Sequence, residues 1–368
     1  MRVKIDDLIS FGACGRVYTG RITSDPMERV VAVKKSLWAP SIKNSMLRHE
    51  ACTILALKGH ENIPQVFAYG RSQCFEYMAL EILGADIDTP LGNPEGLTVS
   101  NLVALACQMI GALEHAHSHH IVHCDVKPFN FLFDHNPATG LIKLIDFGLA
   151  KVYRDPRTLE HVEPTTTSHA DGTRAFISLN VHLHHNPLRR DDMESLAYTI
   201  AALLCDGLPW YDVSHSECFA VKQTWSGAAL CAGYDPVFGE FVDYTRSLHF
   251  REAPDYEGWR RRFLALAPHL CGRPLYNPAD RSTRVGERRG NGAPTASVVR
   301  PKPSSHTSAR DKLIPDERRY CPRSTWARAA SVGDENVVGD EGKMVREHLE
   351  CIEEPPMSDV KGEIMYID

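Results

Sequence analysis

Three oxygen-bearing side chains that would have to reach one point constrain this chain more than any other feature. They are Asp125 and Asn130, in His123-Cys124-Asp125-Val126-Lys127-Pro128-Phe129-Asn130, and Asp146, in Ile145-Asp146-Phe147-Gly148. Transfer of a phosphoryl group needs a carboxylate to orient an incoming hydroxyl and accept its proton, which suits Asp125. It also needs two oxygen ligands for a magnesium ion that bridges nucleotide phosphates, and Asn130 and Asp146 fit that part. Lys127 sits where a cation would steady the phosphate in transit. Residues 142–145 read as a short strand that delivers Asp146.

Further parts of such a site lie upstream. Ser10-Phe11-Gly12-Ala13-Cys14-Gly15-Arg16-Val17 matches Gly-x-Gly-x-x-Gly-x-Val except at Ser10. Gly12 and Gly15 would let the backbone approach phosphates closely, with Ile9 and Val17 flanking the nucleotide. Taken alone, the stretch is as well explained by a hairpin turn. Val31-Ala32-Val33-Lys34 follows at the usual spacing, an apolar strand whose lysine is a candidate ligand of the α- and β-phosphates. Glu50, in the helical text Met46-Leu47-Arg48-His49-Glu50, is the candidate partner that orients Lys34; the plainer reading is a solvated helix glutamate. A hinge over 80–84 would offer the backbone of Glu81 and Leu83 to an adenine edge, with Ala32 and Leu132 as apolar walls. Five parts in this order and spacing leave little room for coincidence.

Three stretches differ in character. Residues 1–84 alternate short apolar runs with turns, interrupted by one helical segment, and read as a sheet-rich lobe. Residues 85–270 are mainly helical in period: Leu102, Leu105, Ala106, Met109, Ile110 and Leu113 mark one face, and 196–204 is apolar enough for a buried helix. The expected architecture is α+β and bilobal, with the ligand in the crevice between lobes. Residues 271–368 read as a low-complexity, disordered tail. Within it, 273–328 carries 13 basic and 5 acidic residues and 331–368 carries 3 basic and 11 acidic, so two blocks of opposite sign could meet each other or the charged domain. A solvated tail is the plainer alternative.

The net charge of −6 carries no nucleic-acid signature, and no apolar run approaches the roughly 20 residues of a membrane helix. The first residues lack the apolar core of a signal peptide. Eleven cysteines without a Cys-x-x-Cys pair read as reduced thiols of an intracellular protein. His115, His117, His119, His120 and His123 crowd one stretch, and His182, His184 and His185 another. Zinc binding is one reading; packing and hydrogen bonding at a helix end is the better-supported one.

The chain resembles the casein kinase 1 family of serine/threonine protein kinases over roughly residues 4–267. Ser178-Leu179-Asn180 stands where that family has Ser-Ile-Asn and other kinases have Ala-Pro-Glu. Arg189-Arg190-Asp191-Asp192-Met193-Glu194-Ser195-Leu196, Leu208-Pro209-Trp210 and Ser247-Leu248-His249-Phe250 are similar too. The resemblance implies a two-lobed kinase that uses ATP and magnesium to phosphorylate serine or threonine in proteins and acts as a monomer. It further implies that Asp192 anchors the catalytic loop by accepting backbone hydrogen bonds. Two departures concern the substrate: Cys124 replaces the arginine of His-Arg-Asp, and Gly172-Thr173-Arg174-Ala175-Phe176 displaces a second arginine by one place. An arginine fork is geometric as well as charged, so a weakened preference for pre-phosphorylated or acidic substrates is expected.

The competing reading is a pseudokinase, a scaffold or binding module on the same fold. Cys124 and Ser10 speak for it; Lys34, Glu50, Asp125, Lys127, Asn130 and Asp146, all present, speak against it. A small-molecule phosphotransferase fits Gly172-Thr173 less well. The expected location is cytoplasmic, with nuclear entry through the stretch Arg281-Ser282-Thr283-Arg284 to Arg288-Arg289 as an alternative to a solvated linker.

Overall fold

The computed structural model describes residues 1–12, 15–39, 42, 45–88, 97–205, 207–270, 272–285 and 364–366. The chain divides into two compact units, Met1–Leu37 with Asn291–Asp368, and Trp38–Gly290. Hydrogen bonds explain why residues 45–81 go with the second unit: His49 Nε2 meets Ala150 O at 2.8 Å, Asn62 Nδ2 donates to Ile142 O at 2.7 Å, and Leu144 N donates to Asn62 O at 2.8 Å.

The first unit is an antiparallel meander of β1 (Arg2–Gly12), β2 (Gly15–Ile22) and β3 (Val30–Leu37). Val3 and Ile5, Tyr18 and Ile22, and Val31 and Val33 are buried at alternate positions, the period-two pattern of strands with one covered face. Gly12 pairs with Gly15 across the turn, and Val17 lies opposite Lys34. Gly15 needs to be glycine: its φ is +119°, and a Cβ there would stand 2.3 Å from Lys35 O. Ala13 and Cys14 of the glycine-rich stretch lie outside the described residues.

The second unit begins with α1 (Met46–Ala56) and the hairpin β4 (Val66–Arg71) and β5 (Phe75–Glu81). It continues through β6 (Leu83–Asp86), α2 (Val99–Ser118), β7 (Ile121–Val122), β8 (Phe131–Asp134), β9 (Ile142–Leu144) and β10 (Lys151–Val152). Among the described residues six α-helices follow: α3 (Leu179–His182), α4 (Arg189–Cys205), α5 (His215–Thr224), α6 (Gly227–Leu230), α7 (Pro236–Ser247) and α8 (Tyr256–Leu264). Thr98 caps α2, its side chain accepting from Asn101 N at 3.1 Å. The face expected from periodicity is there: Leu102, Leu105, Ala106, Met109, Ile110 and Leu113 are fully buried. They join Met193, Leu196, Ile200, Leu203 and Trp210 in one core. Each such side chain contributes about 1.5–3 kcal/mol by leaving water, so α2 and α4 form a rigid floor on which loops can be fixed.

Part of the stretch expected as tail is bound to this floor. Residues 273–285 run beside the start of α2, where Val99 N donates to Thr283 O (2.9 Å) and Val285 N to Leu97 O (2.7 Å). Asn101 and Asn277 exchange two hydrogen bonds of 2.8 Å, and Gln108 Nε2 donates to Pro274 O at 3.1 Å. The segment is short of apolar residues, so hydropathy reads it as solvent-facing; side chain-to-backbone bonds hold it instead. Farther on, β11 (Ile364–Tyr366) pairs antiparallel with β1, Arg2 opposite Tyr366.

Candidate active site

The site grows from α4. Its first turn carries Asp191 and Asp192, both buried, and Asp192 turns its carboxylate on the loop that follows β7. Oδ2 accepts from His123 N at 2.6 Å and Oδ1 from Cys124 N at 2.9 Å. His117 Nε2 meets Oδ2 at 3.0 Å, and its Nδ1 meets the Tyr256 hydroxyl at 2.7 Å. Burial lowers the pKa of His117, opposed by Asp192. The loop anchor that resemblance assigned to Asp192 is therefore present, and the loop turns sharply over it, with Cys124 at φ 69°.

That turn delivers Asp125. Its Oδ1 accepts from Thr173 N at 2.9 Å and Thr173 Oγ1 at 2.7 Å, and its Oδ2 lies 3.0 Å from Lys127 Nζ. Lys127 Nζ also donates to Thr173 Oγ1 at 2.8 Å, and Asn130 Nδ2 donates to Asp125 O at 2.8 Å. Asp125, Lys127, Asn130 and Thr173 thus form one knot. Gly172, φ +104°, permits it: a Cβ there would lie 2.6 Å from Cys124 O. Thr173 was not assigned a role from the sequence, although Gly172-Thr173 was the signal that could have found it.

Asp146 arrives by β9. Ile145 N donates to Asn130 O at 2.9 Å, which ties the Asp146 segment to Asn130. Asp146 itself sits in the left-handed region (φ 65°, ψ 61°), a conformation costing a non-glycine residue about 1–3 kcal/mol and found where function demands it. Fully buried Phe147 packs edge-on against the His123 ring at 4.7 Å and holds the strained turn in place. Asn130 and Asp146 offer the oxygen donors a hard cation takes, so these residues suit magnesium.

The other expected residues lie on strands and on α1. Ile9, Gly12, Gly15, Val17, Ala32 and Lys34 lie on β1–β3, Glu50 on α1, Glu81 at the end of β5, Leu83 at the start of β6 and Leu132 on β8. Lys34 is 7% exposed and Glu50 3%, against the reading of Glu50 as a solvated glutamate; charges are buried at such positions only with compensation. Glu81 N donates to Gln65 O at 2.8 Å, which engages one of the backbone groups expected to meet an adenine edge.

Two expectations about charge sharpen. Cys124, where the resemblance would have an arginine, packs with Val122, Tyr153 and Leu188, and burial pushes its thiol pKa well up. Lys151 is paired with Asp171 at 2.7 Å. The histidines act as hydrogen-bonding groups: His115 Nε2 meets Leu57 O at 2.8 Å and His123 Nε2 meets Ile145 O at 3.0 Å.

The description "protein kinase domain" fits residues 3–230. The chain belongs to the protein kinase family. This kinase is 30% identical over 285 residues to Casein kinase I homolog RAG8 of Kluyveromyces lactis, covering 73% of this chain and 52% of that one. It is 33% identical over 234 residues to Casein kinase I homolog 1 of Saccharomyces cerevisiae, covering 61% and 44%. The chain spans about half the length of these curated relatives. The kinase is casein kinase 1-like, as Ser178-Leu179-Asn180 and the start of α4 suggested. Among the described residues no helix is long and apolar enough to cross a membrane.

Proposed function

We propose that this chain is a serine/threonine protein kinase that moves the γ-phosphate of ATP to hydroxyls of protein acceptors. One observation carries the reading: Asp125, Lys127 and Asn130, on a loop fixed to α4 by Asp192, are joined by hydrogen bonds to one another and to Thr173. Asp125 orients the acceptor hydroxyl and takes its proton, and Lys127 steadies charge between base and phosphate. Lys34 binds the α- and β-phosphates, the backbone near Gly12 and Gly15 covers them, and Asn130 and Asp146 hold magnesium. When bound, magnesium neutralises charge that develops on the phosphate oxygens. The kinase acts as a monomer, in the cytoplasm. Arg281 and Arg284 lie in the bound 273–285 segment, where Arg284 bridges to Thr98, which favours a structural part for them over nuclear entry.

Incubation with magnesium ATP and an acceptor protein tests this, beside Asp146→Asn and Lys34→Met. Label incorporation that each change reduces by about 10²–10³-fold or more is expected, the range for losing one preorganised electrostatic contact. Nucleotide binding without incorporation in the unaltered chain would favour the binding-module reading instead.

The finer proposal concerns the acceptor: this kinase does not depend on a phosphate already placed upstream. An apolar Cys124 and a Lys151 neutralised by Asp171 support it. Two peptides that differ only in an upstream phosphoserine should be phosphorylated at similar rates; a large preference for the phosphorylated one defeats the idea.

A further inference from the structure

A second buried ion, outside the residues assigned so far, grips the segment that touches Asp125. Lys222 on α5 is completely buried. Its Nζ donates to Arg174 O at 3.1 Å and Ile177 O at 2.7 Å, and meets His182 Nε2 at 3.1 Å. The ammonium lies over two rings, 4.8 Å from the centroid of Tyr198 and 5.4 Å from that of Trp210. Trp210 Nε1 takes the intervening carbonyl, Ala175 O, at 2.8 Å.

The carbonyls of 174, 175 and 177 are therefore all satisfied from the core side by buried donors. At the other end of the same segment, Thr173 is bonded to Asp125 and Lys127 through its amide and hydroxyl. A stretch pinned in this way can present only its outer edge, beside Asp125, where an acceptor chain would have to lie. A lysine buried merely to fill space would be a poor choice, because desolvating an ammonium costs more than burying methionine of similar length. Its use here follows from its three protons in tetrahedral array, which match two carbonyls and one imidazole nitrogen.

We propose that Lys222 is a positioning residue for acceptor binding, fixing residues 173–177 so that the acceptor hydroxyl is aligned over Asp125. The proposal rests on the protein-kinase reading above. Lys222 touches neither nucleotide nor base; it acts through the main chain of the segment.

Steady-state kinetics of Lys222→Met and Lys222→Arg, with dephosphorylated casein as acceptor, test it. Lys222→Met should raise the KM for casein about tenfold, the size of one charged hydrogen bond, and leave the KM for ATP unchanged. Lys222→Arg, which restores charge and donors, should recover part of the loss. An unchanged KM for casein, or a parallel rise for ATP, overturns the proposal. Hydrogen exchange at 173–178 reads the same hold without turnover: exchange should quicken in both variants, less in Lys222→Arg, while α2 stays protected. Unaltered exchange at 173–178 overturns the proposal even if the chain transfers no phosphate, an outcome that would separately defeat the kinase reading.

Discussion

Two buried ions hold the two segments that flank Asp125, and they do so with opposite sign. On one side, Asp192 accepts from the amides of His123 and Cys124; on the other, Lys222 donates to the carbonyls of Arg174 and Ile177. The carboxylate collects charged hydrogen bonds from two N–H groups that have fixed orientation. The ammonium faces neutral carbonyls, and burial is the largest influence on it, lowering its pKa to about 7. An anion thus fixes the loop that carries Asp125, whereas a cation whose pKa burial lowers fixes residues 174–177. Main chain can be pinned by either sign, but the cation is the one whose charge is open to change near physiological pH.

The largest expected effect is at Asp192. Asp192→Asn turns an amide toward one of the two backbone N–H groups, leaving a buried donor unpaired. A loss of about 3 kcal/mol is expected, or roughly 6–12 °C in Tm, read by thermal unfolding. The kcat should fall with it, because Asp125 rides on that loop. A variant with unaltered Tm and kcat would break the comparison on its anionic side.

Next comes the pH dependence of the cation. Unfolded, Lys222 keeps its proton to about 10.5; folded, it releases the proton near 7. Between these values the unfolded chain binds more protons, so stability gained from this residue rises with pH. It is lost as pH falls through 7. Relative to Lys222→Met, the unaltered chain should gain up to about 1.4 kcal/mol per pH unit from 7 to 9. Cys218 and Glu194 favour the charged form and Arg246 and Arg174 oppose it, while His182 Nε2 meets the ammonium directly at 3.1 Å. Unfolding measured at several pH values checks the sign; an unaltered chain that loses stability relative to Lys222→Met as pH rises refutes it.

The smallest effect sharpens the knot itself. Thr173→Val removes the hydroxyl shared by Asp125 and Lys127 but keeps the amide bond to Asp125. A cost of about 1 kcal/mol in transition-state stabilisation is expected, roughly fivefold in kcat/KM. A much larger loss would mean that the hydroxyl, not Lys222, governs the acceptor segment.

Much of this was legible in the sequence, for a local reason. Asp125, Lys127 and Asn130 lie within six residues of one another, so their knot is written in one short loop. The core faces of α2 and α4 show as helical period. Lys222 was not legible, because a lysine in the polar text of α5 reads as solvated until the packing of 174–177 and Trp210 over it is known. The 273–285 segment escaped for a related reason: it is held by bonds to side chains some 180 positions away, such as Ser100 to Ser282, and such pairings leave no periodic trace. Cys124 illustrates a third limit. Its replacement of arginine was plain, but its place beside Tyr153 and Leu188 depends on the left-handed turn imposed by Asp192.

The hydrogen bonds from Asn101 and Gln108 to Asn277 and Pro274 have a practical corollary. Truncating a recombinant version at residue 270, where helical text stops, would strip partners from two buried amides on α2. Solubility and yield should therefore drop for shortened versions ending before Val285 and recover for those ending after it.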